Sequence, residues 1–236
     1  MITVSLLSLS CGNKVRTAYF VNVDCSNSTA DKYIRDAYRN DFKKILKTAD
    51  EGDIIVIDRI SSNSFSTSDP LTVSIPEYSI FGANKDKFEK FRDSLKKDFA
   101  EKSEKYFTDP EYTETDILNS INSSIIYLRN GELKSFRKII VLFSDMIQET
   151  EELDLTENNG DERQIKKIIT NLEKENKIFN LDSIEIYVSG ATYSELKGTE
   201  INLRQTKFIK EFWKEYFLRC NMKYRDEMYQ SRLAEF

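Results

Sequence analysis

Residues 16–29, RTAYFVNVDCSNST, decide how the rest of the chain is read. RTAYFVNV is short and nearly continuously apolar, the pattern of a strand covered on both faces in an α/β sheet. It ends on Asp24. The polar loop DCSNST then leads, from Ala30, into Ile34, Ala37, Tyr38, Phe42, Ile45 and Leu46 at helical spacing, opened by acceptors able to cap an N-terminus.

The same alternation continues outward. Gly52-Asp53 turns the chain into IIVIDRI (Ile54 to Ile60), whose β-branched residues suit a pleated surface. LTVSIPEYSIF is a shorter candidate strand that Pro76 confines to an edge or an end. Its connection is too short for a crossover helix, so antiparallel pairing with the preceding strand is expected. Between Asn84 and Phe107, Phe88, Phe91, Leu95 and Phe99 recur as on an amphipathic surface helix. YTETDILNSINSSIIYL reads as a polar loop and a helix with Ile117, Leu118, Ile121, Ile125 and Leu128 on one stripe, and RKIIVLFSD is the strongest buried-strand signal, ending on Asp145.

A helix with Ile165, Ile168, Ile169 and Leu172 inward, a strand at Ile184 to Val188 and an aromatic helix between Glu200 and Arg219 complete the pattern. The fold class this implies is α/β: a doubly wound, mostly parallel sheet with one antiparallel edge strand and helices on both faces. Neither an internal repeat nor a linker interrupts it. Residues 15–236 read as a single domain preceded by an N-terminal segment, 1–14.

Composition narrows the chemistry. The 236 residues carry a net charge of −5, with Lys and Arg spread among Asp and Glu, so nucleic acid is not an expected partner. Histidine is absent, which removes Ser-His-Asp hydrolysis, Cys-His proteolysis, the usual zinc sites and most general-base chemistry near neutral pH. Cys11, Cys25 and Cys220 have no CxxC spacing and suggest no disulfide framework. The apolar run Ile2 to Ser10 is too short to span a bilayer. Its position before Cys11 leaves two readings open, a lipoprotein signal with a lipid anchor at Cys11 or an ordinary N-terminus, and with them either a bacterial envelope or a cytoplasmic location.

In open α/β sheets ligands collect beyond the carboxyl ends of the strands. Asp24, Ser26 and Ser28 follow the first strand there, Thr113 and Thr115 precede the Ile117 helix, and Ser144 and Asp145 follow the strongest strand. The ordered set Asp24-Cys25-Ser26-Asn27-Ser28, Thr115 and Asp145 resembles the metal-ion-dependent adhesion site of the von Willebrand factor A family, with its DxSxS motif, a later Thr and an Asp at a strand end. The resemblance runs from Val15 over almost the whole chain. YIRDAYRNDFKKILKTADEGD, LFSDMIQE and FWKEYF are similar to a bacterial branch of that family.

The resemblance implies a bound Mg²⁺, with Mn²⁺ as a substitute. It implies Ser26 and Ser28 as direct ligands, Thr115 direct or through water, and Asp24 and Asp145 mainly through water. An inner shell of neutral hydroxyls would leave the ion charged and open to an Asp or Glu of another protein, so the implied function is a metal-dependent protein-interaction module and not an enzyme. Departures exist. Asn27 stands where glycine is common in the family, and Asn is the residue best able to take a positive φ in its place. Met146 stands where glycine commonly follows the Asp, and Thr113 is an alternative to Thr115.

Each residue also has a plainer reading. Ser26 or Ser28 could cap the first helix and Thr115 the third, and the seven acids between Glu149 and Glu162 could form the site's rim or only a solvated loop. Two other functions compete: a metal-dependent phosphohydrolase with Asp24 as nucleophile, and a metal-free scaffold of the same fold that binds partners through Phe212, Trp213 and Phe217.

Overall fold

Strand β1, Thr17–Asp24, is buried along its whole length and has a parallel neighbour on each side, β2 (Ile54–Ile60) and β4 (Arg137–Phe143). The computed structural model describes residues 15–64, 69–82, 84–108, 114–156, 161–191 and 203–236. The N-terminal segment with Cys11, and Thr113, lie outside them. β3 (Leu71–Ser74) pairs antiparallel with β2, β5 (Ile184–Ser189) parallel with β4, and β6 (Tyr229–Gln230) parallel with β5. The order β3-β2-β1-β4-β5-β6 is that of a doubly wound sheet with the expected antiparallel strand at its edge.

Period-two alternation divides the strands between two cores. Ala18 and Phe20 of β1, Ile140 and Leu142 of β4 and Ile186 and Val188 of β5 face one cluster, packed by α3 (Ile117–Leu128), α4 (Glu162–Lys174) and α5 (Leu203–Arg219). Tyr19, Val21 and Val23 with Ile139, Val141 and Phe143 face the other, under α1 (Lys32–Thr48) and α2 (Lys85–Ser103). Phe212, Trp213 and Phe217 are fully buried, so the aromatic face of α5 is core and not the docking surface that the scaffold reading needs. Along α2, Phe88 and Phe99 are buried but Phe91 is 48% exposed. At 100° per residue it stands about 60° off the line joining Phe88, Leu95 and Phe99. Among the described residues no helix is long and apolar enough to cross a membrane.

The sequence pattern gives no hint of β6, or of the tail that carries it back over α1. The anchor is Asp41, a carboxylate on the buried face of α1. It accepts from Ser189 Oγ (2.7 Å), the Leu233 amide (2.8 Å) and Arg232 Nη2 (2.9 Å), with Lys44 Nζ 2.8 Å away. Burial alone would raise its pKa, but Arg232, Lys44, the Leu233 amide and Ser189 together hold it below the usual carboxylate value. A depressed native pKa contributes stability that is present above the unfolded value, near pH 4, and is lost as pH falls through the lower native one. Asp41→Asn is therefore expected to cost about 2 kcal/mol at pH 7. In urea titrations of variant and wild type the gap should close progressively below roughly pH 4; a gap independent of pH would show that charge is not what Asp41 contributes.

Candidate metal centre

Four loops meet at the carboxyl edge of the sheet, and hydrogen bonds join them in a closed circuit. Ser144 Oγ, just past β4, donates to Asp24 Oδ2 at the end of β1 (2.7 Å). The Cys25 amide donates to the Ile60 carbonyl at the end of β2 (3.4 Å), and the Asp116 amide donates to Ser61 (3.0 Å). Thr115 and Glu149 exchange amide-to-carbonyl bonds at 3.0 and 3.1 Å, returning the circuit to the loop that follows Asp145. Asp24, Ser26, Thr115 and Asp145 are all buried, with Ser28 half-buried.

Within the first loop the Ser26 amide donates to Asp24 Oδ1 (2.9 Å), and the hydroxyls of Ser26 and Ser28 stand 2.9 Å apart. Neither serine caps α1. Asp31 does, accepting from the Tyr33 amide, and Ser26 makes no side-chain cap at the short 3₁₀ turn Asn27–Thr29. α3 is capped by Asp116, which accepts from the Asn119 amide, while Gln148 Oε1 accepts from the amides of Ile117 (2.8 Å) and Leu118 (3.1 Å). Capping therefore accounts for none of Ser26, Ser28 and Thr115.

Two departures from the family pattern resolve differently. Asn27 opens the 3₁₀ turn and has no positive φ, so it does not take the left-handed conformation expected of it. Met146 does, at φ 67°. A side chain in that region carries strain of about 1–3 kcal/mol and persists there only when its surroundings impose the conformation. They do: the Met146 amide donates to Ser144 Oγ (2.9 Å), its carbonyl accepts from Trp213 Nε1 (2.8 Å), and its side chain is fully buried. The turn after Asp145 keeps a glycine-like backbone without a glycine. The Asp145 Oδ1 in turn accepts from the Ile147 amide (3.2 Å).

Behind the loop lies Arg35 of α1, 4% exposed. Its guanidinium donates to the Asp24 carbonyl and to that of Ser26 (3.5 Å), and Thr29 Oγ1 donates to the same two carbonyls (3.0 and 3.1 Å). Burial pushes the Asp24 carboxyl upward, against the lowering influence of Ser26, Ser144 and Arg35. Cys25 is buried with its thiol toward the carbonyls of Val23 and Tyr106. Arg35, Thr29 and Gln148 were not among the residues the sequence singled out. Only Arg35 carried a visible signal, a charge beside Ile34 on the buried side of a helix.

Beside Thr115 a cleft of about 350 Å³ is lined by Glu114, Asp116, Glu151 and Glu152 among others, so part of the acidic segment does border this edge. Among the described residues no group of three or more His, Cys, Asp or Glu side chains is placed to hold a metal ion. The set gathered here contains two carboxylates and is otherwise composed of hydroxyls.

No protein-family model and no curated protein matches the sequence. In structure the chain is similar to proximal thread matrix protein 1 of the mussel byssus (TM-score 0.40, 12% identity, 87% of this chain) and spans about half of that protein, 48%. It is also similar to the SpRpn10 VWA domain (TM-score 0.38, 12% identity, 93% of this chain and 88% of that one). A third similar structure is manganese-loaded TRAP protein of Plasmodium vivax (TM-score 0.42, 13% identity, 92% and 68%). These likenesses are of architecture, and they say nothing of what occupies the sheet edge here.

Proposed function

We propose that the chain is a divalent-metal-dependent protein-interaction module whose ion is Mg²⁺, with Mn²⁺ able to replace it. The carrying observation is the pair of serine hydroxyls, 2.9 Å apart and committed to no helix cap. The two hydroxyls hydrogen-bond one another and so lie side by side, where a single ion could take both oxygens. Hard hydroxyl and carboxylate oxygens suit Mg²⁺. On this reading Ser26 and Ser28 would hold it directly and Thr115 directly or through water, with Asp24 and Asp145 accepting hydrogen bonds from its waters. When bound, the ion supplies an open position that takes an Asp or Glu carboxylate from a partner protein.

Nothing in the geometry favours Asp24 as a phosphohydrolase nucleophile. It is fully buried, and both its oxygens accept hydrogen bonds, from the Ser26 amide and the Ser144 hydroxyl. The test is calorimetric titration of Mg²⁺ and Mn²⁺ into chelator-stripped protein beside a Ser26→Ala, Ser28→Ala double variant. Saturable binding of about one ion per chain is expected, weakened at least tenfold in the double variant with the fold retained. Absence of saturable binding to folded wild type would overturn the proposal.

A further inference from the structure

We infer that Arg35 is the positioning residue of this loop, fixing the backbone from Asp24 to Ser28 in the conformation that turns the Ser26 and Ser28 hydroxyls toward one another. The inference rests on the metal-binding reading above. A guanidinium 4% exposed is an expensive way to hold two carbonyls, because a charge taken out of water loses far more hydration than a neutral donor would. Thr29 Oγ1 already donates to both carbonyls, so satisfying them does not demand the arginine. Its Nε is buried and has no hydrogen-bond partner among the described residues, a further cost that stability alone does not explain.

What the arginine adds is direction. The Asp24 and Ser26 carbonyls both point back at its fork, while the Ser26 amide points forward to Asp24 Oδ1. The backbone on either side of Ser26 is thereby gripped from both sides, and the direction of its Cα–Cβ bond, from which the hydroxyl projects, is set. The Ser26 carbonyl also accepts the Thr29 amide (3.2 Å), which closes the turn carrying Ser28. Rotation of either peptide would swing one hydroxyl away from the other. As a point charge, by contrast, Arg35 opposes any cation bound in front of the loop, so charge and geometry make opposite predictions for its removal.

The experiment compares Arg35→Lys and Arg35→Met with wild type, using Mn²⁺ as the probe in calorimetry and in water-proton relaxation, and thermal unfolding in chelator as the fold control. Lysine keeps the charge and stem but loses the fork, and it covers the case in which methionine is not tolerated. Both variants are expected to weaken Mn²⁺ binding tenfold or more. The Mn²⁺ that still binds should relax water protons more strongly per ion, since fewer protein hydroxyls reach it. Ile45→Val, a mild core change elsewhere on α1, should leave affinity and relaxation unaltered. Wild-type binding with Arg35→Met equal or tighter would overturn the positioning role while leaving the metal site standing. A folded wild type that binds no Mn²⁺ would overturn both.

Discussion

Replacing Trp213 with alanine is expected to remove about 4 kcal/mol from the unfolding free energy, measured by urea denaturation followed by circular dichroism. The indole is fully buried and packs edge-on against Phe212 and Tyr216, with centroids 5.1 and 5.6 Å away, and is stacked with Phe217 at 5.8 Å. Removing it opens a cavity among neighbours that are themselves large and cannot all collapse inward. The second effect is specific to this chain. Trp213 Nε1 holds the carbonyl of Met146, the residue in left-handed conformation immediately after Asp145. Trp213→Phe keeps most of the bulk but leaves that buried carbonyl without its donor, for a smaller loss of about 1–2 kcal/mol. The phenylalanine variant should nonetheless bind Mn²⁺ more weakly than its stability alone predicts. A loss below about 1 kcal/mol in the alanine variant would contradict the packing account.

Gly190→Ala is expected to cost about 3 kcal/mol, the sum of backbone strain and overlap. Gly190 follows β5 with φ 110°, a conformation that side chains rarely adopt. A Cβ there would lie 2.5 Å from Tyr38 Oη and 2.8 Å from the Ser144 carbonyl. The tyrosine ring is wedged against Phe143, with centroids 5.5 Å apart, and Ser144 cannot retreat without losing the hydroxyl contact that holds Asp24. Urea denaturation gives the stability. The companion measurement is Mn²⁺ titration, in which this change of one methyl group, outside the set of proposed ligands, should weaken binding. A stability loss under about 1 kcal/mol would mean that the strand ends are looser than they look.

The sheet was legible because its strands are buried on both faces and leave continuous apolar runs, and the antiparallel edge followed from Pro76 and a short connection. Strand-end polar residues were legible for the same reason: Asp24, Ser26 and Ser28, with Ser144 and Asp145, stand where an apolar run stops. What ties them together was not. Gln148 reaches back 31 residues to the Ile117 amide, and a glutamine in a loop gives no local sign of such a bond. Strand β6 is two residues long, shorter than any periodicity can register. Arg35 and Asp41 were visible in principle, since both charges interrupt the buried side of α1, but an interruption says nothing of its partner. Met146 marked a departure from the resembled pattern, and only the structure gives the sense of it: the residue takes a left-handed backbone held by Ser144 and Trp213.

The place of β1 at the middle of the sheet has a consequence for synthesis. One neighbour, β2, comes soon after it, but Ser144, just past the other, follows Asp24 by 120 positions. At about 5–20 residues per second, roughly ten seconds separate the emergence of the two from a ribosome. In that interval α1 can cover the Tyr19–Val21–Val23 side, while Ala18 and Phe20 wait for α3 and one open edge waits for β4. An unpaired apolar edge is what chaperones bind and what aggregates when they do not. The Asp24–Ser28 loop, which borrows its support from Ser144, thus stays incomplete until β4 has been made.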